Sequence, residues 1–171
     1  MDVCGKLEAF PIGIPKNHDV EINFKEVKSV LLTGSGEYII DSKKRMALPK
    51  EMRLELGEHV YVSPGFEKGS LAIFPPETLE ELRDNLKKQM FTNTLDAHRK
   101  LFSSSKRVQI DTQGRILISQ EILDIVKLNP EDKVKVLGCG DYIEIWPLEI
   151  YNARYADEEV DLREIFRSAG L

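Results

Sequence analysis

Two stretches of this chain repeat one arrangement of an acid and a base: Asp41-Ser42-Lys43-Lys44-Arg45 and Asp111-Thr112-Gln113-Gly114-Arg115. An aspartate that opens a tight loop can accept hydrogen bonds from backbone N–H groups two residues on. It can also orient an arginine that returns at the start of the next strand. An arginine held at a fixed angle presents a planar fork of donors, which fits a phosphate or the O6/N7 edge of guanine. Lysine would match the charge and not the bidentate geometry. Lys43 and Lys44 are placed to add phosphate contacts around Arg45, and Gln113 can reach a base edge or a phosphate beside Arg115. Asp41, Asp111 and Gly114 are expected to shape the loops rather than touch nucleic acid. The plainer alternative is a salt bridge that stiffens a turn, and one copy alone would not separate the two readings.

No other residues assemble comparable chemistry. His18, His59 and His98 are dispersed, without metal-ligand spacing. Cys4 and Cys139 lie far apart with no Cys or His neighbour at metal spacing, and they read as reduced thiols rather than a disulfide. Gly34-Ser35-Gly36 lacks the Lys-Ser/Thr ending of a phosphate-binding loop and reads as a strand-entry turn. No Ser/His/Asp set, Cys/His set or carboxylate pair stands out. Neither catalysis, a metal nor a cofactor is expected.

Composition sets the frame for those loops. With 171 residues, 42% hydrophobic and 31% charged, the chain suits one sizeable soluble domain or two small, intimately packed ones. No apolar run approaches the roughly 18–20 residues that cross a bilayer. The start, Met1-Asp2-Val3-Cys4-Gly5-Lys6-Leu7-Glu8, lacks the basic and apolar segments of a signal peptide, so the cytoplasm is the expected compartment. The net charge of −5 argues, taken alone, against a nucleic-acid partner, because phosphate neutralisation supplies much of DNA affinity. Its distribution matters more. Acid collects at Glu77, Glu80 and Glu81 and from Asp157 to Glu164; base collects at Lys43-Lys44-Arg45, Lys87-Lys88, His98-Arg99-Lys100 and Lys106-Arg107.

The two loops sit inside a longer internal repeat. Residues 38–49, Tyr-Ile-Ile-Asp-Ser-Lys-Lys-Arg-Met-Ala-Leu-Pro, align with residues 108–119, Val-Gln-Ile-Asp-Thr-Gln-Gly-Arg-Ile-Leu-Ile-Ser, with Asp on Asp and Arg on Arg. A short helical pattern follows each: Met52 and Leu56, then Ile122 and Val126. Pro49 precedes the first of these helices and Gly57 is expected to supply its left-handed C-terminal cap. Ser119 is the expected N-cap of the second. Two strands come next in each copy, Val60–Val62 with Leu71–Pro75 and Val134–Leu137 with Ile143–Pro147. The alternation of Ile143 and Ile145 against Glu144 marks a half-buried strand. Trp146 and Phe74 hold equivalent places and read as core anchors. Leu79, Leu82 and Leu86 predict one helix and Leu95 to Phe102 another, with Ser103-Ser104-Ser105 as a linker. Leu148–Tyr155 and Leu162–Phe166 predict two more helical pieces. The chain thus divides into an N-terminal extension (1–30), a first repeat with trailing helices (31–103), a second repeat (104–156) and an acidic tail (157–171).

From about Val30 to about Ala156 the sequence resembles the MraZ family, within the AbrB-like swapped-hairpin group. The resemblance rests on Asp41…Arg45 with Leu48-Pro49, on Asp111…Gly114-Arg115 with Ile116-Leu117-Ile118, and on the endings Ile73-Phe74-Pro75 and Ile145-Trp146-Pro147. It implies a β-rich α+β fold, a barrel of two pseudo-symmetric swapped-hairpin units with short helices outside. It also implies a non-catalytic transcriptional regulator, associated with the nucleoid. In the family these loops face double-stranded DNA, and rings of many copies bind direct repeats upstream of the division and cell-wall operon. Three departures stand out, the first being an N-terminal extension longer than the family's usual start, long enough to cap an oligomer or cover the DNA face. Lys44 replaces the usual Gly, which predicts a differently turned first loop, and Ser119 replaces the usual Pro, which should alter only a helix start. The rival from another class is a protein-interaction module on the same barrel. An enzyme on a related barrel would need a supported nucleophile, and none is found.

Overall fold

The computed structural model describes residues 30–88, 95–155 and 162–170. The expected extension lies outside these apart from Val30, as do Cys4, His18 and the start of the acidic tail. The first half runs β1 (Ser35–Ile39), β2 (Arg45–Ala47), α1 (Lys50–Glu55), β3 (His59–Pro64), β4 (Leu71–Phe74), α2 (Pro76–Lys88) and α3 (Leu95–Ser104). The second half repeats the order with β5 (Lys106–Gln109), β6 (Arg115–Leu117), α4 (Gln120–Val126), β7 (Lys133–Gly138), β8 (Ile143–Pro147), α5 (Leu148–Tyr155) and α6 (Leu162–Ser168). The fold is mixed α+β, and every named strand pairing is antiparallel.

The halves do not form separate sheets. Six strands lie in the order β1-β7-β8-β4-β3-β5, and β2 and β6 form a second sheet of two. So β1 pairs with β7 of the other half, β5 with β3, β4 with β8, and β2 with β6. The closed barrel implied by the resemblance is not what this pairing makes. β1 and β5 are the two outer strands, because the chain leaves each through an Asp-Arg loop into a strand that pairs elsewhere.

Period-two alternation decides what each strand buries. In β4 all four residues are buried, with Leu71 and Ile73 in the main core and Ala72 and Phe74 in a second cluster on the opposite face. The main core joins Val60 and Val62, Val134 and Val136, and Ile143 and Ile145 to Met46, Ile116, Ile118 and the buried faces of α1 and α4. The second cluster packs Leu79 and Leu82 of α2 and Phe102 of α3 against Phe74. Trp146 and Phe74 are both buried, as their matching places predicted. The indole N–H of Trp146 donates to Glu144 Oε2 at 3.1 Å, so the polar residue of that strand satisfies the one donor its neighbour buries.

Helix boundaries follow most of the expected signals. Ser119 caps α4, its hydroxyl accepting from Ile122 N. Gly34, at φ 90°, makes the turn into β1. Gly57 does not cap α1. Leu56 leaves that helix in an extended conformation, because the chain runs on directly into β3. The left-handed cap occurs instead after α4, at Lys127 with φ 59°. The expected serine linker is mostly helix, since Ser103 and Ser104 complete α3 and only Ser105 separates it from β5.

A sheet built from both halves must unfold as one. Ile73→Ala, in the first half, should cost about 2–5 kcal/mol as a buried large-to-small change. Urea denaturation followed by fluorescence of Trp146, the single tryptophan and a second-half residue, should shift by the same amount as helical circular dichroism. Two separated transitions would contradict the interleaved sheet.

Candidate nucleic-acid interface

Each Asp-Arg pair forms a closed clasp. Asp41 Oδ1 accepts from the backbone N–H of Lys43 at 2.9 Å and of Arg45 at 2.8 Å. Its Oδ2 accepts from Arg45 Nε at 2.8 Å and Nη2 at 2.7 Å. In the second loop Asp111 Oδ1 accepts from Gln113 and Arg115 N–H, both at 2.9 Å. Asp111 Oδ2 accepts from Arg115 Nε at 2.8 Å and Nη2 at 2.7 Å. Each carboxylate thus bonds both the loop backbone and the arginine four residues on. Four donors converge on each carboxylate, which favours its ionised form.

The turn of the two loops is also the same. Lys44 N donates to Asp41 O and Gly114 N to Asp111 O, each at 2.8 Å. Lys44 has φ 62° and Gly114 φ 74°. The different turn expected from lysine in the glycine position does not arise. The clasp holds the fourth loop residue in the left-handed region, and lysine tolerates it at a modest cost in strain. Each loop is then tied to the opposite half: Ile118 N donates to Lys44 O at 2.9 Å and Leu48 N to Gly114 O at 3.0 Å.

Those two bonds flank the β2–β6 ribbon, in which Arg45 faces Leu117, Met46 faces Ile116, and Ala47 faces Arg115. Directly opposed residues share a face, so Met46 and Ile116 turn into the core while both arginines stand on the other side. Two residues of rise and one strand spacing separate the arginines by about 8 Å at Cα. Although clasped, their side chains remain 31% and 27% exposed, with guanidinium N–H groups left over. Lys43 and Gln113 are exposed at the loop tips and Lys44 is half-buried. The structure therefore brings all the sequence-derived candidates to the two loops and the ribbon between them.

One further cation joins them that the sequence did not single out. Arg53 of α1 donates from Nη1 to Gln113 O at 3.0 Å, across 60 residues of chain. A Cβ on Gly114 would lie 1.6 Å from that Nη1 and 2.5 Å from Arg53 Cδ. Glycine at 114 thus leaves room for the arginine stem as well as accommodating a positive φ. No sequence pattern pairs residues 53 and 114; the one visible trace is that the first loop has Lys where the second has Gly. Among the described residues no group of three or more His, Cys, Asp or Glu side chains could hold a metal ion. No described helix is long and apolar enough to cross a membrane.

A two-repeat α+β chain whose repeats share a sheet and carry matching Asp-Arg clasps can be compared with known proteins on both counts. Residues 101–169 match the family model described as "MraZ protein, putative antitoxin-like". Over 135 residues the chain is 36% identical to the transcriptional regulator MraZ of Clostridium tetani, covering 76% of this chain and 92% of that protein. The Mesoplasma florum protein of the same name is 33% identical over 139 residues, 80% of this chain and 93% of that one. The Carboxydothermus hydrogenoformans protein is 31% identical over 138 residues, with 76% and 94% covered. The chain belongs to the MraZ family.

The clasps make a titration prediction. Side-chain and backbone hydrogen bonds from Arg45 hold the Asp41 carboxyl down at about 2, from an ordinary 3.8, and those from Arg115 lower Asp111. A lowered folded-state value means that the stabilisation is complete above the ordinary carboxylate range. It is lost as pH falls from 3.8 towards about 2. Carboxyl-detected NMR should show Asp41 still ionised at pH 3, and Arg45→Ala should return it towards the ordinary value. An Asp41 that titrates normally would mean the clasp is not formed in solution.

Proposed function

We propose that this chain is a sequence-specific DNA-binding transcriptional regulator whose contacts are made by Arg45 and Arg115, with Lys43, Lys44 and Gln113 around them. One observation carries the reading: a two-stranded ribbon that puts two pre-oriented arginines on one exposed face, about 8 Å apart. A two-stranded ribbon fits the major groove, where an arginine fork reads guanine or anchors on phosphate. The clasp supports the same reading, since an arginine already held by carboxylate and backbone loses little freedom on binding. The names of the curated relatives, transcriptional regulator MraZ, agree with it.

In this reading residues 31–103 and 104–156 are two repeats of one DNA-binding body, and 1–30 and 157–171 are its appendages. One copy offers few cations, and each phosphate neutralised contributes about −0.9 to the slope of log K against log salt. Several copies binding repeated DNA boxes together overcome that weakness through effective concentration. A ring-shaped homo-oligomer on direct repeats upstream of the division and cell-wall operon is the assembly we propose, acting at the nucleoid in the cytoplasm.

Fluorescence anisotropy with a duplex from the promoter upstream of the protein's own gene, against a shuffled duplex at two salt concentrations, tests this. Preference for the promoter that falls steeply with salt is expected. Arg115→Ala and Arg45→Ala should each cost about 1–3 kcal/mol where the contact is bidentate. Lys43→Ala should cost less and weaken all sequences alike. Equal, feeble binding to both duplexes, retained in a chain lacking residues 1–30, would instead favour a protein-interaction module. Arginine variants that bind like wild type would remove the loops from the interface.

A further inference from the structure

Residues 41–45 carry three cations against one carboxylate, whereas residues 111–115 carry one against one. The structure makes up part of that difference from another element. We propose that Arg53 is a DNA-contacting residue of the second loop, supplied by α1, which fixes the loop backbone and adds the phosphate contact that the loop sequence lacks. The proposal rests on the DNA-binding reading of the loops.

Five observations converge on it. Arg53 Nη1 is anchored on Gln113 O at 3.0 Å, so the guanidinium sits at the loop tip rather than over its own helix. Its stem occupies the space over Gly114 that any Cβ would fill. An arginine has five N–H donors, and among the described residues only this one bond is made. Unlike Arg45 and Arg115, it forms no ion pair with a carboxylate among the described residues. Finally, the pseudo-symmetric position on α4 is Leu123, which is fully buried. The first loop carries a lysine of its own at 44, where the second has glycine with an arginine laid over it. The two loops thus gain positive charge by different routes, one local and one across the repeat boundary, and Arg53 closes part of the gap between them.

The expected consequence is separable from a purely structural brace. With the full chain and the own-promoter duplex, Arg53→Gln should weaken binding about tenfold, the effect of one charge-assisted hydrogen bond. It should also reduce the salt slope by about 0.9, the signature of one phosphate contact. Arg53→Lys should restore the slope. A slope and affinity unchanged in Arg53→Gln, while Arg115→Ala loses binding, would overturn the Arg53 assignment and leave the loop reading intact. If Arg115→Ala binds like wild type, the loop reading itself falls.

A second measurement needs no DNA. Gly114→Ala should lower the melting temperature by about 2–4 °C more in the wild-type background than in Arg53→Ala, because the clash is with Arg53. Equal penalties in both backgrounds would show that Arg53 does not lie over the loop in solution. Should Arg53→Gln fold poorly, Arg53→Met keeps the stem over Gly114 and removes only the charge, and the salt slope is read on that variant.

Discussion

Three residues of β2 paired with three of β6 hold the two halves of the molecule in register. The pairing fixes more than itself. It turns Met46 and Ile116 into the core and their neighbours Arg45 and Arg115 outward, since a slip by one residue would exchange those faces. It also continues into the loops, where the carbonyls of Lys44 and Gly114 accept from Ile118 and Leu48 of the opposite half. The loop geometry is therefore not local to either loop. Each is closed on one side by its own aspartate and on the other by the partner repeat.

Much of this was legible in the residues, because the forces that set it act over a few positions. The clasp needs only an aspartate, a tight turn and an arginine four residues on, and the duplication printed that need twice. The alternation around Glu144, the Ser119 cap and the burial of Trp146 are equally short-range. Strand partners were not legible. Period-two patterning tells a strand which side faces the core and says nothing about which strand lies beside it, so the exchange between halves and the open outer strands β1 and β5 came only from the structure. Lys44 misled because a sequence reader weighs the residue's own backbone preference, while the hydrogen bonds around it decide φ. Arg53 was invisible for the same reason as the strand partners: its meaning lies 60 residues away.

The acidic net charge also finds a physical resolution. Glu77, Glu80 and Glu81 ride on α2, whose Leu79 and Leu82 pack in the cluster beneath Phe74. The ribbon packs in the main core, on the opposite face of the six-stranded sheet. Two layers of roughly 10 Å each separate them. At physiological ionic strength the Debye length is about 8 Å, so the acid on α2 is largely screened from the arginine face. A whole-chain charge averages over distances at which the charges no longer interact.

The exchange of strands between halves has a consequence for divergence. A chain holding one such repeat would have to borrow its partner strands from a second identical copy, and every change in its loop would appear on both sides of the pair. Carrying both repeats on one polypeptide lifts that symmetry. One loop can keep a lysine where the other keeps a glycine, and a helix position can be arginine in one half and buried leucine in the other, without either change being imposed twice. Covalent tandem linkage thus makes the two loops independently variable, so that a pseudo-symmetric body need not present two identical faces.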